Sequence, residues 1–155
     1  MLIIKTKYFN ELSTKELYDL LKLRSEVFVV EQDCVYQDID GKDEKALHVL
    51  GYKNETLVAY TRIFKAGDYF KQTSIGRVVV SKNERHYKYG YEIMKASIKA
   101  IEDNFEENII IISAQTYLKK FYNNLGFVET GKEYLEDGIP HKKMIKKTNL
   151  INLSI

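Results

Sequence analysis

A single proline, Pro140, a single cysteine, Cys34, and no tryptophan occur in 155 residues. One cysteine excludes an internal disulfide framework and any zinc site built on several thiolates. One proline, with no serine- or glycine-rich stretch, leaves no linker, and no repeat or long single-sign charge run divides the chain. The expectation is one domain over residues 1–155. Neither sign of charge dominates: 24 Lys and Arg face 22 Asp and Glu, for a net charge of +2. That balance excludes strong sequence-blind nucleic-acid binding through bulk charge. Apolar runs such as Ile109–Ile112 fall far short of a membrane span. Lys5 ends the run Met1–Ile4 too early for a signal-peptide core. The expected setting is the reducing cytoplasm, without a membrane or nucleic-acid partner. A hydrophobic share of 45% supplies an ordinary core.

The pattern along the chain predicts an α/β protein. Residues 2–8 alternate weakly, as a first strand would. Ser13-Thr14-Lys15-Glu16 has the spacing of a capping box, so a helix starts there. Leu17, Leu20, Leu21, Val27 and Phe28 follow at helical spacing. Arg24 lies on the same stripe and reads as an arginine snorkelling from its edge. Residues 47–52 and 57–64 are β-rich runs around the hairpin signal Lys53-Asn54-Glu55. Residues 74–80 end in Val78-Val79-Val80, which reads as a strand buried on both faces. Tyr91, Met94, Ile98, Ile101 and Phe105 share one helical face. Residues 109–114 form another apolar strand, and Leu118, Phe121, Tyr122 and Leu125 a short helix closed by Gly126. Two last strands, 128–134 and 141–146, flank the turn Glu136–Pro140. Strand, helix and strand through 74–114 imply a right-handed crossover joining roughly parallel strands, in a sheet with helices on both faces.

Two segments invite chemistry. Asp38-Ile39-Asp40-Gly41-Lys42-Asp43 resembles part of a calcium loop, but alignment puts Tyr36 first and Leu47 twelfth, where carboxylates are required. No metal is expected; a solvated turn or an acidic rim for a cationic substrate remain. Arg85-His86-Tyr87-Lys88-Tyr89-Gly90-Tyr91 lies between a strand and a helix, where free backbone N–H groups suit a phosphate. Arg85 and Lys88 add charge, and Gly90 permits close backbone approach. GxxxxGK[ST] and the dinucleotide fingerprint are both absent. The interleaved Tyr and Lys also fit base stacking, but no RNA-module pattern surrounds them.

Several segments together resemble the GNAT superfamily of acetyl-CoA-dependent N-acetyltransferases, closest to its ElaA-type branch. They are Leu23–Gln32, Tyr36–Gly41, Ile75–Val80, Ala114-Gln115, Phe121-Tyr122, Gly126-Phe127 and Glu136–His141. The resemblance covers nearly the whole chain. It implies a mixed, mostly antiparallel central sheet with a splayed parallel strand pair and helices on both faces. It also implies a co-substrate, acetyl-CoA, its pantetheine arm along Val78, Val79 and Val80 and its pyrophosphate in the loop Arg85, His86, Tyr87, Lys88, Tyr89, Gly90. Lys88 and His86 stand where the superfamily commonly has glycine. Gln115 and Tyr117 fall beside the cofactor, and Tyr122, seven residues after Gln115, matches the tyrosine that protonates the departing thiolate.

The chemistry fits without a metal or a covalent enzyme intermediate. An amine that is an ammonium at pH 7 must lose a proton before it attacks a thioester. The thioester oxygen needs fixed N–H donors as it gains charge. Candidate bases are Glu31, His48 and His141; Gln32 and Glu136 join them as acceptor-binding residues. The acceptor is a small-molecule or protein amine, expected to be cationic because Glu31, Asp38, Asp40, Glu136 and Asp137 make the mouth electronegative. The alternative is a noncatalytic CoA-binding module on the same fold. Leu150, Ile151, Leu153 and Ile155 have two possible docking places, this chain or a second copy in a homodimer.

Overall fold

The computed structural model describes residues 1–148; the apolar tail singled out above lies outside them. Ten regular elements follow in order: β1 (Ile3–Tyr8), α1 (Thr14–Arg24), β2 (Leu47–Lys53), β3 (Thr56–Phe64), β4 (Thr73–Val80), α2 (Tyr89–Asn104), β5 (Ile109–Gln115), α3 (Lys119–Asn124), β6 (Val128–Glu136) and β7 (Ile139–Lys147). The strands make one seven-stranded sheet in the order β1-β2-β3-β4-β5-β7-β6. All neighbours are antiparallel except β4 and β5. That parallel pair touches only at Thr73–Ile110 and Ser74–Ile111, and then splays.

Local sequence explains the boundaries. At the start of α1 the Ser13 hydroxyl accepts from the Glu16 N–H at 3.0 Å, and the Glu16 carboxylate accepts from the Ser13 N–H at 2.8 Å. Burial opposes the charge on Glu16, but the Ser13 N–H and the Lys7 ammonium hold its carboxyl down at about 2. Asn54-Glu55 and Asp137-Gly138 are two-residue turns with positive φ at both positions, the geometry that matches the twist of a hairpin. Gly126, at φ +93°, ends α3 as a left-handed cap.

Two cores lie on opposite faces of the sheet. Leu20, Leu23, Val27 and Phe28 pack on Leu50, Tyr60 and Val79. Ile93, Met94 and Ile101 of α2, with Tyr122 and Leu125, pack on Val49, Ala59 and Ile63. The buried stripe of α2 is rotated from the expected one: Ile93, Ser97 and Ala100 are buried, whereas Tyr91, Ile98 and Phe105 lie at the margin. Ser97 fits because its hydroxyl donates to the Ile93 carbonyl and bonds Thr61 of β3.

Three further expectations are corrected. After α1 the chain widens into a π-helical stretch, Ser25–Glu31, that periodicity alone does not reveal. Arg24 does not snorkel: it is 0% exposed, with Nε on Asp38 at 3.0 Å and Nη1 on Asp43 at 2.7 Å. The run Val78–Val80 is not buried on both faces: Val79 enters the core, while Val78 and Val80 are half-buried.

Candidate active site

The site is built where β4 and β5 part. In β4, Tyr60 pairs with Val79 but Arg62 with Gly76, so two residues, Arg77 and Val78, oppose Thr61. Arg77 takes φ +48°, marking a bulge that bends the strand and takes backbone groups out of the ladder. A cavity of about 410 Å³ opens beside it, walled by Val78, Val79, Val80, Gln115, Tyr117, Leu118, Phe121 and Tyr122, with Arg85, Lys88 and Gly90 at one end. Eight residues assigned from sequence to the cofactor therefore converge: Val78, Val79, Val80, Arg85, Lys88, Gly90, Gln115 and Tyr117.

Three assigned to the same loop lie elsewhere. His86 and Tyr87 are exposed on the 3₁₀ stretch Lys82–Tyr87, and the Lys53 ammonium sits 4.0 Å from the Tyr87 ring centroid. Tyr89 is buried in the core under α2. A 3₁₀ turn points successive side chains to different sides, so six consecutive residues cannot all face one groove.

Lys88, in the place where glycine is common, takes φ +61° and ψ 28°, a conformation that glycine reaches without steric cost. Gly90 has a different constraint from the one expected. A Cβ there meets the Phe121 ring at 3.2 Å, so its smallness also serves the packing of α2 on α3.

A second cavity, of about 110 Å³, lies deeper in the splay. Phe28, Gln32, Val78, Gln115, Leu118 and Tyr122 line both spaces and mark their junction. Tyr122 is 5% exposed, and burial pushes its phenol upward, with the neighbouring Tyr117 adding to the shift. The second cavity is completed by Cys34, Tyr36, Arg77, Ser113, Glu136, Asp137 and His141. Arg77 and Ser113 were not singled out from sequence; Gly76 inside a strand pattern was the available sign of a bulge at this point.

The three candidate bases separate. Glu31 lines the larger cavity alone, gripped by Arg85 through two contacts of 2.6 and 2.7 Å. That guanidinium holds its carboxyl below the usual range, which suits a fixed charge and not a base. His48 is fully buried, away from both cavities, bonded to the Tyr60 hydroxyl at 2.6 Å and the Asp43 carbonyl at 2.9 Å. Burial lowers its pKa, and its place is structural, so the acceptor-binding assignment does not hold for it. His141 lines the second cavity, its Nε2 3.2 Å from Glu136.

The acidic stretch is neither a solvated turn nor a free rim. Asp38, Asp40 and Asp43 pair with Arg24, Arg62 and Arg77 from α1, β3 and β4. Burial works against the charge on Asp40 and Asp43, yet the Arg62 and Arg24 guanidinia hold both carboxyls well below their usual value. Of the five carboxylates expected to make the mouth negative, Glu136 and Asp137 remain free of an arginine. Among the described residues no group of three or more His, Cys, Asp or Glu could hold a metal, and no helix is long and apolar enough to cross a membrane.

Comparison with known proteins agrees with this architecture. A family model described as "Acetyltransferase (GNAT) domain" matches residues 10–148. Protein ElaA of Escherichia coli (strain K12) is 43% identical over 142 residues, covering 90% of this chain and 93% of that protein. The crystal structure of Escherichia coli ElaA superposes with a TM-score of 0.88 at 41% identity, over 94% of this chain and 99% of that one. An acyl-CoA N-acyltransferase from Pseudomonas aeruginosa gives 0.87 at 38% identity, over 93% and 99%.

Proposed function

This chain belongs to the GNAT acetyltransferase family, and we propose that it transfers an acetyl group from acetyl-CoA to a primary amine by direct attack while both are bound. The observation that carries this reading is the junction of two cavities at Val78, Gln115 and Tyr122. A largely apolar space that Arg85 and Lys88 also line suits a pantetheine arm ending in a pyrophosphate. A smaller polar space beyond it suits an acceptor. The alternative, a CoA-binding module without turnover, gives the second space no task.

The residues around the larger space fit acetyl-CoA. Val78 and Val80 are half-buried on the splayed strand, and its bulge supplies backbone groups outside the ladder for the amides of the arm and for the thioester oxygen. Arg85 and Lys88 lie beside the first turn of α2, whose unpaired N–H groups and dipole favour an anion. Acetyl-CoA supplies the activated acyl group. The protein excludes water, holds the thioester at the junction and donates N–H groups to its oxygen.

On this reading Tyr122, which lines both cavities, protonates the departing thiolate. Burial keeps its phenol protonated through neutral pH, so the proton is available when the sulfur leaves. The same apolar walls destabilise a thiolate, which keeps the transfer balanced. The acceptor enters as an ammonium, drawn by Glu136 and Asp137, neither of which is paired with an arginine.

Tyr122→Phe tests the assignment by one oxygen. The ring still packs, so melting temperature and CoA affinity stay near the parent's while kcat falls about 10²-fold or more, the scale for losing a general acid. A variant that turns over an amine within a few-fold of the parent removes Tyr122 from the chemistry.

A further inference from the structure

The transfer reading leaves unassigned the group that takes the proton from the amine. We propose that His141 is that base and that Glu136 stabilises its charged form and returns the proton to water; this rests on the transfer reading above.

His141 sits beside the junction. It pairs across the β5–β7 ladder with Gln115, which lines both cavities. Its ring is oriented from three sides. Nδ1 lies 2.7 Å from the Ile139 carbonyl, which can only accept, so Nδ1 carries the hydrogen. Tyr134 stacks on the ring at 6.2 Å between centroids and 25° between planes. Nε2 is then the nitrogen left to exchange a proton; it stands 3.2 Å from a Glu136 carboxylate oxygen, so a hydrogen on Nε2 passes to Glu136 before Nε2 can take the next one from an amine. Ser113 in turn bonds both the Tyr134 hydroxyl and Glu136. The histidine is 6% exposed, whereas the Glu136 side chain is 48% exposed and reaches solvent. One nitrogen is fixed, the other faces a carboxylate, and that carboxylate is wet.

The other titratable groups of this cavity are engaged by neighbours, already assigned to the thiolate, or at its rim. The Tyr36 hydroxyl donates to Asp38, and burial raises its phenol. Arg77 is a cation paired with Asp38 and Asp40. The Cys34 thiol is directed at the Asp137 carbonyl, 3.5 Å away. Asp137 itself stands exposed at the hairpin tip.

The proton count closes. An N–H bond of the ammonium breaks, its electron pair stays on nitrogen for attack on the thioester carbon, and the proton bonds to Nε2. The imidazolium is held by Glu136 until the proton passes through that carboxylate to water, which restores the lone pair. The nitrogen, once acylated, sheds a second proton, and this replaces the one that Tyr122 gives the thiolate. One proton is released per acetyl group transferred.

The test exploits amine basicity. An alkyl amine such as butylamine is an ammonium at pH 7, close to lysine's value of about 10.4, and needs a base. Trifluoroethylamine is already largely neutral and does not. Both are offered with acetyl-CoA to the parent, to His141→Asn, which keeps a donor for the Ile139 carbonyl, and to the half-exposed variant Glu136→Gln, which leaves the core untouched. The proposal expects His141→Asn to lose about 10²-fold or more in kcat/KM with butylamine and only a few-fold with trifluoroethylamine. Glu136→Gln shows the same bias more weakly. An equal loss with both amines, or no loss with butylamine, overturns the proposal while leaving the transferase reading in place. If the parent transfers to neither amine although it binds acetyl-CoA, the transfer reading fails, and the base assignment falls with it.

Discussion

Replacing Glu31 by glutamine separates its two candidate roles, because they predict changes of opposite sign. In the structure the Glu31 carboxylate and the Arg85 guanidinium form a two-pronged ion pair at 2.6 and 2.7 Å across the cofactor cavity. Arg85 also donates Nε–H to the Val80 carbonyl at 3.1 Å, a group on the strand that walls the larger cavity. For Arg85 to meet a pyrophosphate, the ion pair has to open. Its side chains are 43% and 27% exposed, so solvent screens it and its worth is about 0.2–1 kcal/mol. Glu31→Gln removes that competitor and a negative charge near the phosphates. CoA affinity should therefore rise by up to about 5-fold, the factor that corresponds to 1 kcal/mol. The gain should shrink as ionic strength increases from low salt, since partly exposed charges are screened within about 10 Å at 0.1 M. Turnover with an alkyl amine at saturating acetyl-CoA should stay within a few-fold of the parent. Titration calorimetry at two salt concentrations, with steady-state kinetics beside it, measures both quantities. A 10²-fold fall in kcat with unchanged CoA affinity would reinstate Glu31 as the base and refute the argument. Weaker CoA binding in the variant would show that the ion pair organises the site instead of blocking it.

Two predictions concern stability. Lys88→Gly relieves a left-handed backbone costing about 1–2 kcal/mol for a residue with a Cβ, against about 0.5–1 kcal/mol for the entropy of glycine; the melting temperature should rise by about 1–4 °C while CoA binds more weakly for want of the ammonium, and a Lys88→Ala variant that melts as high as Lys88→Gly would contradict this. Arg24→Met strips a counter-charge from Asp38 and Asp43, which keep Arg77 and Arg62, so the cost should fall at the lower end of about 3–5 kcal/mol. In the parent the lowered carboxyl of Asp43 adds stability above the unfolded value near 3.9 and loses it only as pH falls below that. In the variant the under-paired carboxylates are destabilising while charged, so the melting deficit should be widest at pH 7 and narrow towards pH 4; a pH-independent deficit in thermal scans would argue against the ion-pair account.

How much was legible in the sequence depended on how local each signal was. The capping box at Ser13, the hairpin turns at Asn54 and Asp137 and the glycine cap at Gly126 are set by a few neighbouring residues, and each formed where its residues required. The parallel pair followed from the strand–helix–strand order through residues 74–114, and its early splay agrees with the family resemblance. The failures are long-range. Nothing near Arg24 in sequence announces Asp38 and Asp43, because they arrive from a loop 14 and 19 residues away. Its place on an apolar stripe suggested an edge, whereas three arginines sharing three aspartates made full burial tolerable. His48 and His141 were equal as lone histidines. Burial against Tyr60 made one structural, and a cross-strand neighbour of Gln115 made the other part of the cavity. Gly90 lines the cavity as the loop pattern predicts, but its contact with Phe121, 31 residues on, is invisible in the local sequence.

The arginine–aspartate network explains why the smaller cavity can be built from a loop at all. A segment without regular structure, Asp33 to Lys42, supplies two of that cavity's walls, Cys34 and Tyr36. Loops are the elements least able to hold side chains within the tolerance that catalysis needs. Here Asp38 and Asp40 tie the loop to Arg24 on α1, Arg62 on β3 and Arg77 on β4. A buried ionic cluster of this kind adds little net stability over a well-packed apolar one, because desolvation offsets most of the attraction. What it adds is position, since each guanidinium donates to its partner in one plane. Arg77 is the informative member. It occupies the bulge itself, at φ +48°, so the same strand distortion that takes backbone groups out of the ladder also aims a guanidinium at this loop. One irregularity in β4 thereby ties the two cavities together, and on the proposed reading this holds both substrates in register for direct transfer.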